Sequence, residues 1–298
     1  MNISQPFHEG ELRIQDLAGE RDRGTRTGRI VSDTVPPGGA PFLAEQSMLV
    51  VGAIDAYGEV WASILLGQPG FVTAPDDRTI VLQLGQVVRA AEDPLLENIE
   101  TGARLGLLAI DLPTRRRLRV NGIVRVCSDS IVRIDVQQAY PNCSKFIRMR
   151  HLSVAHEKDR AGLGPVRRGE ILTDDLRTII EHADTLFVAS AHPESGADVS
   201  HRGGAPGFAR IRDDRTLRIP DFAGNSMFNT LGNFEAYPHA GIVVPDFDAG
   251  RCLQLTGRPE ILWNLPDTEN ETGGTRRSWD LHISKWSLSV LPMRTLPR

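Results

Sequence analysis

The sequence predicts a mainly β protein with short helices, arranged as two tandem small β-barrels. Two observations lead to this prediction. Apolar, β-branched runs of strand length alternate with turn residues along most of the chain, and the second half repeats the first. The 298 residues suffice for two domains with separate cores. We expect an N-terminal helix and arm over residues 1–40, a first barrel over 41–156 and a second over 157–298.

The repeat is visible in the letters as well as in the pattern. Residues 67–80 align without gaps on residues 204–217, and eight of those 14 positions are identical. Residues 98–122 align on residues 233–257 at nearly the same offset. Two such matches at nearly one offset indicate an internal duplication. Two copies are too few for a solenoid, so the pattern favours two barrels packed about a pseudo-twofold axis.

Short helices are predicted around the strands. A helix over residues 7–19 would turn Leu12 and Leu17 inward, an extended arm or loop would follow over residues 20–41, and residues 41–46 would form one or two turns. Further helices are predicted after Asp93, within 140–149 and after Thr173, and a linker is predicted over 157–170. The predicted strands of the first half are 48–54, 60–66, 71–74, 79–84, 105–111, 118–126 and 131–137.

The composition excludes several classes of function. A net charge of −4 argues against a general nucleic-acid binder, because no excess of cations is available to displace counterions. Three widely spaced cysteines favour a reducing compartment over a disulfide framework, and the histidines show no metal-ligand spacing. The N-terminus lacks an apolar signal core, and no apolar run has the length of a membrane span. We therefore expect a cytoplasmic protein with no metal and no membrane partner.

The two copies differ where a ligand site would be expected. Ser200 aligns with Ser63, but His201 and Arg202 of the second copy align with an isoleucine and a leucine of the first. A Ser-His-Arg run in the middle of a strand costs burial energy unless its polar groups have partners. Because only the second copy has this polar run, we predict that the second half holds the ligand.

The residue types of this region suit a planar cofactor that carries a phosphate. Arg202 can hold a phosphate through two parallel hydrogen bonds. Asn225 lies near the start of a helix predicted over about residues 227–236, where free amides and the helix dipole favour an anion. Asn229 and Thr230 would lie on its polar side.

The strand before that helix could meet the flat part of the cofactor. Pro220 and Asp221 end this strand, and Asp221 would accept a ring N–H. Simpler interpretations stay open: His201 could be structural, Asn225 and Ser226 a plain helix cap, and residues 115–117 a solvated hairpin tip that at most steers an anion.

Several segments resemble a known family. Residues 183–190, 198–208, 220–225 and 229–233 resemble pyridoxamine 5′-phosphate oxidase-like, FMN-binding split-barrel proteins. Residues 7–11 and 141–147 resemble the branch described as predicted flavin-nucleotide-binding proteins. The resemblance implies a six-stranded antiparallel split barrel, FMN at a barrel–barrel interface, and a homodimer. Together with the repeat, it predicts two tandem split β-barrels.

The resemblance also assigns the cofactor contacts. It implies that Ser200, His201 and Arg202 lie along the flavin and its ribityl chain, Pro220 and Asp221 by the ring, and Asn225, Asn229 and Thr230 by the phosphate. The chain departs from the true oxidases at the last two, which stand roughly where those enzymes carry an Arg-Lys pair.

We therefore expect an FMN-binding flavoprotein, an oxidoreductase with a small molecule or redox protein of unknown identity as electron donor or acceptor. No side chain is predicted to be catalytic, and His201 is the one that we would test. Two alternatives stay open: a non-enzymatic flavin carrier or sensor, and a haem-binding split barrel.

Overall fold

A computed structural model describes residues 6–88, 93–95, 99–154 and 165–296. Its helices are short, and strands outnumber them by far in the regular secondary structure. The helices are α1 (Glu9–Leu17), α2 (Arg21–Gly28), α3 (Gly39–Ala44), α4 (Asp174–His182) and α5 (Asn229–Ala236). No helix in the described part of the chain is long and apolar enough to cross a membrane.

The first half forms one eight-stranded antiparallel sheet in the order β3-β4-β8-β7-β6-β1-β2-β5. Its strands are β1 (Met48–Ile54), β2 (Val60–Gly67), β3 (Val72–Asp76), β4 (Thr79–Gln83), β5 (Val87–Val88), β6 (Arg104–Asp111), β7 (Arg116–Cys127) and β8 (Ile131–Pro141). A separate short strand, β9 (Leu152–Val154), pairs with the C-terminal strand β18 (Met293–Thr295).

The second half forms a sheet in the order β12-β11-β15-β16-β17-β14-β13, and β10 pairs with β17 beside it. Its strands are β10 (Arg167–Gly169), β11 (Thr185–His192), β12 (Gly196–Gly203), β13 (Arg210–Ile211), β14 (Thr216–Pro220), β15 (Ala240–Asp246), β16 (Arg251–Leu262) and β17 (Ser278–Val290). Each sheet thus has more strands than the six that the resemblance implies.

The two sheets share one strand order and one register. Strands β2, β1, β6, β7, β8, β4 and β3 occur in the same sequence as β12, β11, β15, β16, β17, β14 and β13. Val50 lies opposite Ile64 and Leu108, and Phe187 lies opposite His201 and Val243 at the matching positions. The predicted fold class, mainly β with two tandem split barrels, is confirmed.

Alternation along the strands builds three apolar clusters. Leu49 faces the core of the first half, and Trp279 lies in the core of the second. Val50, one residue further along β1, joins Phe187 in a third cluster between the halves. This follows from the period of two in a strand. The backbones also approach closely, since a Cβ on Gly106 would lie 2.7 Å from Asp198 Cα.

The N-terminal region is more helical than predicted. The segment predicted as an arm or loop contains α2, whose residues show no apolar periodicity. A glycine lets α2 pack closely against its neighbours, since Gly24 lies against the Gln15 side chain and the Ser226 carbonyl. The prediction that Leu17 faces inward is wrong, because 57% of it is exposed and Ile14 is buried instead.

Two other local predictions have different outcomes. No helix forms between residues 140 and 149, where β8 continues to Pro141 and Phe146 adopts a positive φ of 64°. The helix predicted after Asp93 falls largely outside the described residues, as does most of the predicted linker over 157–170. The helix predicted after Thr173 is confirmed as α4.

Candidate ligand-binding site between the two halves

A cavity of about 370 Å³ opens between β7 of the first half and β12, β14 and the start of α5 of the second half. This volume lies within the range of about 300–1,000 Å³ that small-molecule sites occupy. All eight residues that the sequence predicts for the site line it: Ser200, His201, Arg202, Pro220, Asp221, Asn225, Asn229 and Thr230. The cavity therefore brings the predicted residues together and adds residues of the first half.

Arg119 of β7 joins the halves at the inner end of the cavity. Its Nη1 donates to Tyr140 Oη at 2.7 Å, to Asp198 at 3.0 Å and to Asn229 Oδ1 at 3.2 Å. Its Nη2 donates to Ser200 Oγ at 3.1 Å. Burial alone would lower the pKa of Arg119, but the Asp198 carboxylate and Tyr140 outweigh burial and raise it. Arg119 therefore stays charged.

Hydrogen bonds within the protein fix the start of α5. The hydroxyls of Ser200 and Thr230 lie 2.6 Å apart. Asn229 donates to the buried Glu11 carboxyl of α1, while its carbonyl oxygen accepts from Arg119. The side chains of Ser200, Asn229 and Thr230 thus position the helix through protein partners.

The helix begins at Asn229, two residues later than predicted, because Ser226 and Phe228 adopt positive φ angles of 63° and 59°. No side chain caps it. Asn225 accepts a hydrogen bond from Met227 N at 3.1 Å, so it closes the preceding turn instead. Within the part of the chain that the structure describes, the first amides of the helix therefore have no capping side chain, and residues 228–231 line the cavity.

Asp221 lies between two arginines. Arg202 Nη1 donates to its Oδ1 at 3.1 Å, and Arg277 Nε donates to its Oδ2 at 3.1 Å. Arg277 also reaches Glu20 of the N-terminal region at 3.3 Å. Both Asp221 oxygens already accept from protein donors, so the structure gives this carboxylate the role of holding arginines at the cavity.

Arg117 corrects the prediction of a solvated hairpin tip over residues 115–117. Arg115 and Arg116 are exposed, whereas Arg117 is half-buried and lines the cavity. Burial, together with the neighbouring cation of Arg119, lowers its pKa to about 10. No acidic side chain pairs with it within the described ranges.

His201 lies on the opposite face of β12 from Ser200 and Arg202, by the alternation of a strand. Its ring meets Phe187 edge-on, with centroids 5.6 Å apart. Both ring nitrogens are buried and have no hydrogen-bond partner among the described residues. Burial, and then the cations of Arg117 and Arg202, keep its pKa well below the ordinary value, so His201 is neutral at pH 7.

Unpaired donors concentrate around this cavity. Arg117, Arg119 and Arg202 each keep a buried Nε–H without an acceptor among the residues that the structure describes. Buried polar groups in folded proteins are nearly always hydrogen-bonded, so a cluster of orphans points to an acceptor that the protein does not supply. The lining cations are Arg23, Arg117, Arg119, Lys145, Arg202 and Arg277.

The equivalent position of the first half is closed. Gln254 stands where β7 has Arg119, and it donates to Ser63 Oγ at 2.9 Å, as Arg119 donates to Ser200. Ser63 in turn donates to Asp93 at 2.7 Å. The buried Cys252 takes the place of Arg117. This position is buried and hydrogen-bonded within the protein.

Sequence reasoning missed the contribution of the first half. Arg117 and Arg119 lie in a different half from the predicted residues, and no local motif marks them. The repeat carries a signal, since Arg119 aligns with another polar residue, Gln254. The described residues contain no cluster of three side chains that could hold a metal ion.

No protein-family model matches the chain, and no curated protein matches it. Solved structures match with low similarity. HupZ from Group A Streptococcus is 14% identical, with 42% of this chain and 99% of that chain covered and a TM-score of 0.33. A FAD-binding protein from Mesorhizobium loti is 14% identical, with 42% and 98% covered and a TM-score of 0.31.

A proposed pyridoxamine 5′-phosphate oxidase from Lactobacillus delbrueckii, the class that the sequence resembles, is 10% identical over 40% of this chain and 98% of that one, with a TM-score of 0.32. Matches at this level carry no functional argument. The split-barrel assignment rests on the strand order and register given above.

Proposed function

We propose that the chain binds FMN in the cavity between its halves and acts as a flavin-dependent oxidoreductase. The observation that carries the proposal is the pair of buried Nε–H donors on Arg119 and Arg202, which line one cavity. Such donors suit a ligand with several oxygen acceptors, because an ionised acceptor strengthens each hydrogen bond.

The start of α5 suits the phosphate of this cofactor. Its first amides are uncapped, and a helix N-terminus favours an anion through these amides and the helix dipole. Arg119 lies beside it with a free Nε–H. We therefore assign the phosphate to Asn229, Thr230 and the preceding loop at Asn225. This arrangement replaces the Arg-Lys pair that the resemblance implies with one arginine from the other half.

The other end of the cavity suits a planar ring. Pro220 and Phe222 of the second half lie there, and Phe146 of the first half stacks on Phe222 with centroids 5.1 Å apart. Arg202 lies near this end and retains its Nε–H, while His201 and Ser200 lie along the same strand. We assign the ring to Pro220 and Asp221 and the ribityl chain to β12.

A bound flavin would supply hydride chemistry itself, so the protein's contribution is binding, orientation and charge. The net positive lining favours negative charge on a ligand. The aromatic pair Phe146 and Phe222 gives one side of the cavity an apolar surface.

A non-enzymatic flavin carrier or sensor is the second candidate, and one observation favours it. Among the described residues that the sequence predicts for the site, no side chain is free to act as an acid or a base. His201 is buried and neutral, and both oxygens of Asp221 are engaged by arginines.

We further propose that the two halves arose by duplication and that the first half now completes the site of the second. The shared strand order and register support this view, as does the replacement of Arg119 by Gln254 at the closed position. The homodimer that the resemblance implies stays a prediction.

The absorption spectrum of the purified protein tests the proposal. A flavin spectrum, in the protein as purified or after incubation with FMN and gel filtration, would support it. A colourless protein that does not retain FMN would contradict it. A haem-type Soret band in place of flavin bands would favour the haem alternative, and flavin binding without turnover by NADH or NADPH would favour the carrier.

A further inference from the structure

We propose that Arg117 and Lys145 form a second anion-binding subsite at the mouth of the cavity, which holds the carboxylate or phosphate group of a co-substrate. This inference rests on the proposed function, because it concerns what binds beside the cofactor. Both side chains come from the first half of the chain and line the cavity.

The charges at the cavity leave these two cations unmatched. Asp198 pairs with Arg119, Asp221 pairs with Arg202 and Arg277, and Glu20 pairs with Arg277 and lies 3.8 Å from Arg23. Within the described residues, neither Arg117 nor Lys145 has an acidic partner. A half-buried guanidinium that lies near two other arginines and keeps a buried Nε–H without an acceptor is costly unless an anion joins it.

The subsite is displaced from the proposed phosphate position at α5. Arg119 contacts Ser200 and Asn229, which mark the start of that helix. Arg117 lies two residues earlier on the same face of β7, a separation of about 6.5 Å along a strand. It therefore lies on the side where β7 meets the segment after β8, and Asn142 N donates to its carbonyl at 3.2 Å.

The segment of residues 142–146 carries Lys145, whose exposed side chain lines the same cavity as Arg117. Phe146 adopts a φ of 64°, which is unusual for a bulky side chain, and its ring stacks on Phe222 of the other half. A Cβ on Gly203 would collide with the Phe146 carbonyl, so the segment is seated directly on β12. These contacts tie the backbone of the segment that carries Lys145 to the second half of the chain.

Calorimetric titration of the FMN-loaded full chain with inorganic phosphate, and separately with succinate, tests the subsite. Arg117→Gln should weaken binding of the preferred anion about tenfold, since it removes charged hydrogen bonds, while FMN affinity stays within about twofold. Lys145→Gln should weaken it about threefold. The matched control is Arg116→Gln, one residue away and exposed, which should change nothing.

Arg117→Lys provides a second variant that keeps the charge. It should retain part of the anion affinity, and circular dichroism should show that it is folded. Preference for phosphate or for succinate identifies the class of the co-substrate. Equal anion affinity in all variants would overturn the proposed subsite. So would an Arg117→Gln variant whose FMN affinity falls by as much as its anion affinity.

The outcome is separable from that of the proposed function. If the chain binds no FMN but binds phosphate in a way that depends on Arg117 and Lys145, the proposal of an anion subsite stands and only the proposal of flavin binding fails. Absence of any Arg117-dependent anion binding would refute the subsite, even in a protein that binds FMN.

Discussion

Arg119 Nη2 lies 3.1 Å from Ser200 Oγ, and this hydrogen bond joins β7 of the first half to β12 of the second. The same arginine also contacts Asp198 and Asn229. One side chain of the first half therefore holds the strand and the helix start that form the inner end of the cavity. Gln254 and Ser63 make the corresponding bond at 2.9 Å in the closed position.

Arg119→Gln gives the site the residue of the closed position. We expect the free energy of unfolding to fall by about 3 kcal/mol, because Asp198 would remain buried without its cation. Urea denaturation monitored by circular dichroism measures this change. The control is Arg125→Gln, on the same strand as Arg119. It breaks an exposed ion pair with Asp135 of β8 and should cost less than about 1 kcal/mol. Equal costs for the two variants would show that the Arg119 network is not a stabilising contact between the halves.

Arg202→Ala tests the cofactor contacts of β12. If Arg202 donates a charged hydrogen bond to FMN, its loss should weaken FMN binding by about 1–3 kcal/mol in a fluorescence titration. Arg218→Ala removes an arginine of the same sheet that pairs with Asp280 away from the cavity, and it should leave FMN affinity unchanged. Unchanged affinity in Arg202→Ala would remove this residue from the site.

Gly232→Ala tests the contact of α1 with α5. A Cβ there would lie 2.5 Å from Glu11 Cα, so the helices must separate. We expect a loss of about 1–3 kcal/mol in stability, measured by chemical denaturation, because overpacking strains a close contact. Gly85→Ala is the control, since its Cβ would meet nothing within 4 Å. If Gly232→Ala were as stable as this control, the helices would not be in close contact.

Glu11 predicts how stability depends on pH. Burial, opposed only in part by hydrogen bonds from His8 and Asn229, raises its pKa from 4.5 to about 8. The folded state then holds this proton more tightly than the unfolded state, so its contribution to stability is full below about pH 4.5 and is lost as the pH rises through about 8.

The variant Glu11→Gln has no carboxyl group to titrate at this position. We therefore expect its free energy of unfolding to fall less steeply than that of the wild type between pH 5 and about 8. Glu9→Gln changes an exposed residue of the same helix and should leave the decline as it is. Denaturant titrations at several pH values measure both slopes. An identical pH profile for Glu11→Gln and the wild type would contradict the buried, protonated state of Glu11.

The sequence predicts the strands well because apolar alternation and turn residues are local signals. It also predicts that Ser200, His201 and Arg202 belong to one site, because His201 and Arg202 align with apolar residues of the first copy. It does not predict Arg117 as a lining residue, because burial of that side chain depends on where the other half packs. The helix α2 lacks apolar periodicity and depends on contacts of Gly24 that only the fold provides.

A titration of the full chain with FMN, followed by flavin fluorescence and repeated with Arg119→Gln, tests the central claim most directly. The claim is that one site per chain is built jointly by both halves. We predict saturation at one FMN per chain and an affinity at least about tenfold weaker in Arg119→Gln, provided that this variant is folded. Binding of two FMN molecules per chain, no binding at all, or equal affinity in a folded Arg119→Gln protein would contradict it.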